Sequence, residues 1–345
     1  MLVTNGSNVT YLTGFTGEES TLLVRPDGEL LVSDFRFITQ LAEECPDIDL
    51  HIRKSGVAMS AAVGKTVAAA RIGKLGVESE SISVALRDRL AEKLPKVEIV
   101  STQGVVEKLR AVKDKGEIRQ IREAITLAQR AFDVLRASLQ PERTEKELAE
   151  QLEHQMRQFG AKDRAFPTIM AVGDRAALPH ASPSAEKRIA DADFVLVDWG
   201  ANERLYHSDL TRVLVTGKLL PKLRRIYQVV LEAQTRAIEA IQPGVRTHDV
   251  DAVARKVIAD AGFGRYFGHS LGHGIGLEVH EGPPLSTNNS TVLKAGMVVT
   301  VEPGIYLPGW GGVRIEDDVL VTRDGWEVLT STPKELDQMV VGPLR

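Results

Sequence analysis

The chain has 345 residues, with 43 Lys and Arg against 47 Asp and Glu, a formal net charge of -4. That balance leaves no basic face for a phosphate backbone, which sets nucleic acid aside, and no apolar run approaches the roughly 20 residues of a membrane-crossing helix. Met1-Leu2-Val3-Thr4-Asn5 has neither the charged start nor the apolar core of a signal peptide, and a lone Cys45 cannot close an internal disulfide, so a cytoplasmic protein is expected.

The length suits two domains of unequal size. In residues 1–110, apolar runs at 21–24 and 30–32 flank the turn Pro26-Asp27-Gly28 and predict strands. Helical spacing at 36–44, 55–70 and 81–90 alternates with strand-like runs at 49–53, 74–78 and 97–100, which predicts a small α/β domain. The charged stretch 107–117 marks the boundary, and residues 111–345 form the second domain.

There, apolar residues recur at helical spacing over 118–139, and Thr144-Glu145-Lys146-Glu147 has the form of a capping box that starts another helix. Two more helices are predicted at 218–241 and 247–261, and strands at 194–199, 209–215, 297–301, 313–321 and 326–329. Strands in consecutive pairs, with helices interposed in pairs, predict an α+β fold on an antiparallel sheet.

Three short motifs mislead. Gly64-Lys65-Thr66 imitates the end of a phosphate loop, but Met59 stands where that loop has glycine. Gly272-His273-Gly274-Ile275-Gly276 has the wrong spacing for a dinucleotide turn. His280-Glu281 opens like a zinc-peptidase helix, but Pro283 and Pro284 would break that helix.

The chemistry is carried by acids at the ends of apolar strands. Phe194-Val195-Leu196-Val197-Asp198-Trp199-Gly200 ends a buried-type run in a carboxylate, and Asp209 follows after a polar turn, as on the facing strand of a hairpin. The pattern recurs: Met297-Val298-Val299-Thr300-Val301-Glu302-Pro303-Gly304, then Glu316. A buried ionised carboxylate costs several kcal/mol unless it is compensated, and four acids in one place cannot all stay ionised without counter-charge. Any one of them alone reads as a turn or salt-bridge residue; the repeated pattern points to divalent metal. His269, His273 and His280 fall in one glycine-rich stretch, and oxygen-rich ligation with one imidazole suits Mn(II), Co(II) or Zn(II).

These residues resemble a known family. Asp198-Trp199-Gly200, His207-Ser208-Asp209-Leu210-Thr211-Arg212, Gly268-His269-Ser270-Leu271-Gly272-His273-Gly274, Val301-Glu302-Pro303-Gly304-Ile305-Tyr306 and Val313-Arg314-Ile315-Glu316-Asp317 are similar to segments of proline-specific peptidases of the pita-bread fold. These are Xaa-Pro dipeptidase (prolidase) and Xaa-Pro aminopeptidase. The resemblance extends to Leu178-Pro179-His180 and to residues 8–17. It implies a pita-bread (creatinase/aminopeptidase-like) catalytic domain behind a creatinase-like N-terminal domain. Asp198 would then hold one metal, His273 and Glu302 the other, and Asp209 and Glu316 would bridge both. It also implies a homodimer in which the N-terminal domain of one subunit helps cover the other's site.

The activity expected is hydrolysis of Xaa-Pro dipeptides by a hydroxide shared between two metal ions, Mn(II) first among the candidates. Glu302 would move the proton and His280 would stabilise the oxyanion or donate to substrate, while His180 and His269 line the proline pocket. Arg314 would take the substrate carboxylate or, equally, pair with Asp317 or Asp318; Arg212 is structural. An aminopeptidase acting on longer peptides is the alternative, favoured less because the N-terminal domain is short. A metal-free peptide-binding scaffold is a third reading, against which the intact ligand set argues.

Overall fold

The computed structural model describes residues 1–342 and divides into two compact units, Met1–Arg110 and Ala111–Arg345. In the first, β1 (Leu2–Val3) leads into α1 (Gly6–Thr13), then β2 (Thr21–Arg25), β3 (Gly28–Asp34), α2 (Ile38–Glu44) and β4 (Asp49–Arg53). After them come α3 (Met59–Ala69), β5 (Lys74–Glu78), α4 (Val84–Lys93), β6 (Glu98–Thr102) and α5 (Glu107–Arg110). The six strands form one mixed sheet in the order β4-β3-β2-β1-β5-β6.

Neighbouring residues on these strands point to opposite faces, as a pleated strand requires. Leu2, Leu23 and Val32 pack with Val63 and Val67 of α3 and Leu90 of α4, whereas Val3, Leu22 and Leu31 pack with Val9 of α1 and Leu41 of α2. Helix α1 is absent from the sequence expectations because Val9, Tyr11 and Leu12 make a weak stripe. Its ends are set locally: Asn5 accepts from Asn8 N–H at 3.0 Å, and Gly14 closes the helix at φ 77°.

The second unit opens with α6 (Lys115–Ala137), whose capping box is Asp114 with Glu117, and α7 (Glu145–Gln158), whose capping box is Thr144 with Glu147. Next are β7 (Asp163–Arg164), β8 (Ile169–Val172), β9 (Phe194–Trp199), β10 (Ala201–Glu203), β11 (Tyr206–His207) and β12 (Leu210–Val215). Helices α8 (Pro221–Glu239) and α9 (Thr247–Asp260) are followed by β13 (Gly272–Gly274), β14 (Glu281–Leu285), β15 (Val298–Val301), β16 (Gly304–Leu307), β17 (Gly311–Arg314), β18 (Asp317–Val321) and β19 (Trp326–Val328). Two antiparallel sheets, β12-β9-β8 and β14-β13-β15-β18-β19, share one large core with α6 to α9.

The strand expected over 313–321 is two strands. β17 pairs with β16, Gly304 opposite Arg314, and β18 pairs with β15, Val301 opposite Asp317. Changing partner between Arg314 and Asp317 takes Ile315 and Glu316 out of both ladders, and Glu316 N–H donates instead to Thr211 C=O at 3.2 Å. In this unit strands β7, β8, β10, β11, β13, β14 and β16 were not expected; β13 is three residues long, and β14 carries Pro283 and Pro284, tolerated because it lies at the sheet edge. Among the described residues no helix is long and apolar enough to cross a membrane.

Candidate metal centre

Asp198 is the penultimate residue of β9, a strand with all six residues buried, and it faces Thr211 across the β9–β12 ladder. Asp209 immediately precedes β12, Glu302 immediately follows β15, and Glu316 occupies the break between β17 and β18. The Thr211 hydroxyl donates to Glu316 Oε2 at 2.6 Å, which ties the two strand pairs together. His273 stands in the middle of β13, its N–H donating to Thr300 Oγ1 at 3.1 Å. The glycines around it have a steric reason: a Cβ on Gly272 would lie 2.0 Å from Thr300 O, so only glycine lets this backbone sit so close to β15.

The side chains converge. His273 Nε2 lies 3.4 Å from Glu302 Oε1 and 3.7 Å from Asp209 Oδ2, and one donor atom each of Asp209, His273 and Glu316 lies within 4.8 Å of the others. His273 Nδ1 is 3.0 Å from Gly274 O; an N–H there leaves Nε2 unprotonated toward the acids, the tautomer of a metal ligand. Burial and the proximity of His280 hold its pKa down to about 4.

The carboxylates are under the opposite pressure. Burial first, then the neighbouring acids, raise Asp209 and Glu316 well above the usual carboxylate range. Burial and Asp198 raise Glu302 to about 8 against the opposing Arg314. Asp198 Oδ1 is buried and has no hydrogen-bond partner among the described residues. An orphaned carboxylate oxygen, three acids held toward their protonated forms and a bare imidazole nitrogen form a donor set that suits hard or borderline divalent cations.

These five residues line a cavity of about 510 Å³ together with His180, His269, His280 and Arg314; Phe166, Pro167, Ile169 and Pro284 supply apolar wall. The His280 ring sits 4.3 Å from that of His273, and burial lowers its pKa. His269 has both ring nitrogens engaged, Nδ1 2.7 Å from Ser270 O and Nε2 3.0 Å from Tyr306 Oη. Burial, then Arg314, push it down to about 4, so it stands in the cavity as a neutral ring.

Arg314 is committed within the chain. Nη2 donates to Asp198 Oδ2 at 2.5 Å, Nη1 to Tyr306 Oη at 2.7 Å and to Pro179 O at 3.3 Å, and Nε to Thr211 Oγ1 at 3.1 Å. It pairs with neither Asp317 nor Asp318. Asp317 is held by Arg212 and Lys334, each at 2.7 Å; burial alone would raise its pKa, but the two cations bring it to about 2. Asp318 Oδ2 accepts the Asp209 N–H at 3.1 Å. Tyr306 and Thr211 have site contacts that the sequence reading did not assign, although both lie in segments it singled out; Phe166 and Pro167 carried no signal.

Residues 119–323 match metallopeptidase family M24, and residues 1–112 match the creatinase/prolidase N-terminal domain. The chain belongs to metallopeptidase family M24. It is a peptidase of the pita-bread fold, as the motifs led us to expect, and its family implies divalent metal ions. It is 45% identical over 262 residues to a Xaa-Pro dipeptidase of Pyrococcus furiosus, covering 76% of this chain and 75% of that one. The structure of a Xaa-Pro dipeptidase from Bacillus anthracis superposes with a TM-score of 0.92 at 41% identity, covering 97% of this chain and 93% of that one. That of an X-Pro aminopeptidase from Thermotoga maritima does so with a TM-score of 0.88 at 39% identity, covering 96% and 94%.

Proposed function

We propose that this peptidase hydrolyses the amide bond before proline, with Xaa-Pro dipeptides as its leading substrates. The observation that carries this reading is the convergence of Asp198, Asp209, His273, Glu302 and Glu316 on one cavity also lined by His180, His269 and His280. The dipeptidase names of the Pyrococcus and Bacillus relatives support it. The Thermotoga aminopeptidase favours a second reading, release of the N-terminal residue from longer peptides.

In the proposed assignment Asp198, Asp209, His273, Glu302 and Glu316 would together hold two divalent ions, Asp198 toward one, His273 and Glu302 toward the other and Asp209 and Glu316 shared, with Mn(II) preferred over Co(II) or Zn(II). Two bound divalent ions would neutralise the acids, make water a nucleophile near neutral pH and polarise the scissile carbonyl. Glu302 takes a proton from the attacking water and passes it toward the departing proline nitrogen. His280 donates a hydrogen bond to the substrate carbonyl as negative charge develops there. His180 and the neutral ring of His269 bound the space for proline. Arg314 serves by holding Asp198 in place. A homodimer in the cytoplasm completes the reading, supported by the family resemblance and the single cysteine.

The deciding experiment supplies Mn(II) to the purified protein and compares a Xaa-Pro dipeptide, a Xaa-Pro tripeptide and a Xaa-Ala control. Cleavage of the first exceeding the second is expected. The tripeptide cleaved faster establishes the second reading, and no cleavage before proline in either refutes both.

A further inference from the structure

Helix α9 carries an ion pair whose burial and contacts exceed what a surface pair needs. Asp251 is fully buried and faces Arg255 one turn on, with Nε to Oδ2 at 2.6 Å and Nη2 to Oδ1 at 3.0 Å. An exposed i,i+4 pair contributes too little to explain removing a carboxylate from water. Its remaining contacts all reach one loop. Arg255 Nη1 donates to Phe267 O at 3.1 Å and Nη2 to His269 O at 2.5 Å, while Asp251 Oδ1 at 3.1 Å shares the Leu271 N–H with Leu285 O at 2.9 Å. The guanidinium also lies 4.4 Å from the centre of the Phe267 ring, and that ring meets His269 edge-on at 5.1 Å.

The pair therefore grips three alternate residues, 267, 269 and 271, of the segment that carries a cavity-lining histidine. Neither Asp251 nor Arg255 is among the residues that line the cavity. From His269 the contacts continue inward: Tyr306 Oη at 3.0 Å from its Nε2, Arg314 at 2.7 Å from that oxygen, and Asp198 at 2.5 Å from Arg314. The segment's other end is anchored separately, the Leu271 carbonyl accepting the Glu302 N–H at 2.8 Å.

We propose that Asp251 and Arg255 are a positioning pair: they hold the backbone of residues 267–271 so that the His269 ring stays against Tyr306 and keeps the proline end of the cavity in shape. This rests on the reading that His269 bounds the substrate. The pair touches no reacting atom, so its effect is on binding that is equal in ground and transition states, and it appears in KM. The carbonyls of Phe267 and His269 have no other protein donor among the bonds given for the described residues, so removing the guanidinium leaves them to water and frees the segment.

The test compares the wild type with Arg255→Leu and Arg255→Lys, each with Mn(II), on one Xaa-Pro dipeptide, alongside backbone hydrogen exchange of the metal-free proteins. Arg255→Leu should raise KM about tenfold, leave kcat within about threefold, keep the metal content and speed exchange in residues 267–272 alone. Arg255→Lys keeps the charge and one donor at a time, so both readouts should fall between wild type and Leu. Unchanged KM in a folded Leu variant, or faster exchange across the whole second unit in both variants, overturns the positioning role. Should the Leu variant not fold, the Lys variant decides alone, by a KM raised or unraised. If the wild type cleaves no Xaa-Pro bond, the functional reading fails, while the exchange comparison still reports on the clamp.

Discussion

Arg314 Nη2 lies 2.5 Å from Asp198 Oδ2, joining two buried side chains from separate strands, β17 and β9. The sequence allows Arg314 either a substrate carboxylate or an acid three or four positions along its own chain. The fold provides a third partner 116 residues away. With Nε, Nη1 and Nη2 all donating to protein groups, the guanidinium offers a substrate no ready two-toothed site.

For that reason Arg314→Ala should lower kcat/KM on a Xaa-Pro dipeptide and on the matching tripeptide alike, by roughly a hundredfold each, because it removes the guanidinium that holds Asp198 in place. Steady-state kinetics on both peptides check this. A ratio shifted by more than about tenfold against the dipeptide would show that Arg314 reads the carboxylate after all.

Chelation should abolish peptide hydrolysis, and Mn(II) or Co(II) should restore it, since both the acid cluster and the attacking water depend on the ions. Elemental analysis should find close to two ions per chain in the active form. Undiminished turnover in protein shown to be free of metal would refute the site.

Asp209→Ala and Glu316→Ala should each lose bound metal together with turnover, whereas His280→Ala should keep the metal and lose about a hundredfold in kcat. Metal content measured beside kcat separates the two classes. Equal metal loss in all three variants would place His280 among the ligands.

The metal-free protein should become less stable as pH rises from about 6.5 to 8, above the range in which the lowered pKa values of His269 and His273 oppose the trend. Burial raises Glu302 from its ordinary 4.5 to about 8, with Asp209 and Glu316 displaced in the same direction. Between those limits the folded state holds a proton that the unfolded chain has released, so each step up in pH favours unfolding; Glu302 adds no further loss above about 8. Thermal melts of chelated protein should show the midpoint falling by about 5 °C or more over this window, and saturating Mn(II) should flatten the slope. A midpoint that rises with pH in the chelated protein would mean that these acids are not held in their protonated forms.

Much of the fold was legible because local rules and tertiary demands agree. Helix α7 carries its capping box at Thr144 in the sequence itself, α6 shows helical spacing from Ile118 onward, and β9 is an apolar run that only a buried strand accommodates. The five converging residues were legible too, since an acid at the end of a buried run needs an explanation wherever it occurs, and the motifs around them resemble those of one family. Short elements were not legible: β13 is Gly-His-Gly and β14 contains two prolines, and neither has an intrinsic preference for a strand.

What only the tertiary structure decided is which charged groups meet. The sequence alone determined that Asp198 and Glu302 are acids at the ends of apolar runs and that Asp209 and Glu316 follow them, because side-chain type and hydrophobic period are local properties. It could not say that Arg314 goes to Asp198, that Arg212 goes to Asp317, or that Arg255 reaches past its helix to the carbonyl of His269. The first two follow from the register of β9 with β12 and from the change of strand partner at Glu316, the third from where α9 lies against residues 267–271. Each is made over a few ångströms between groups distant in the chain, where burial leaves an ion no partner but the one the fold places beside it.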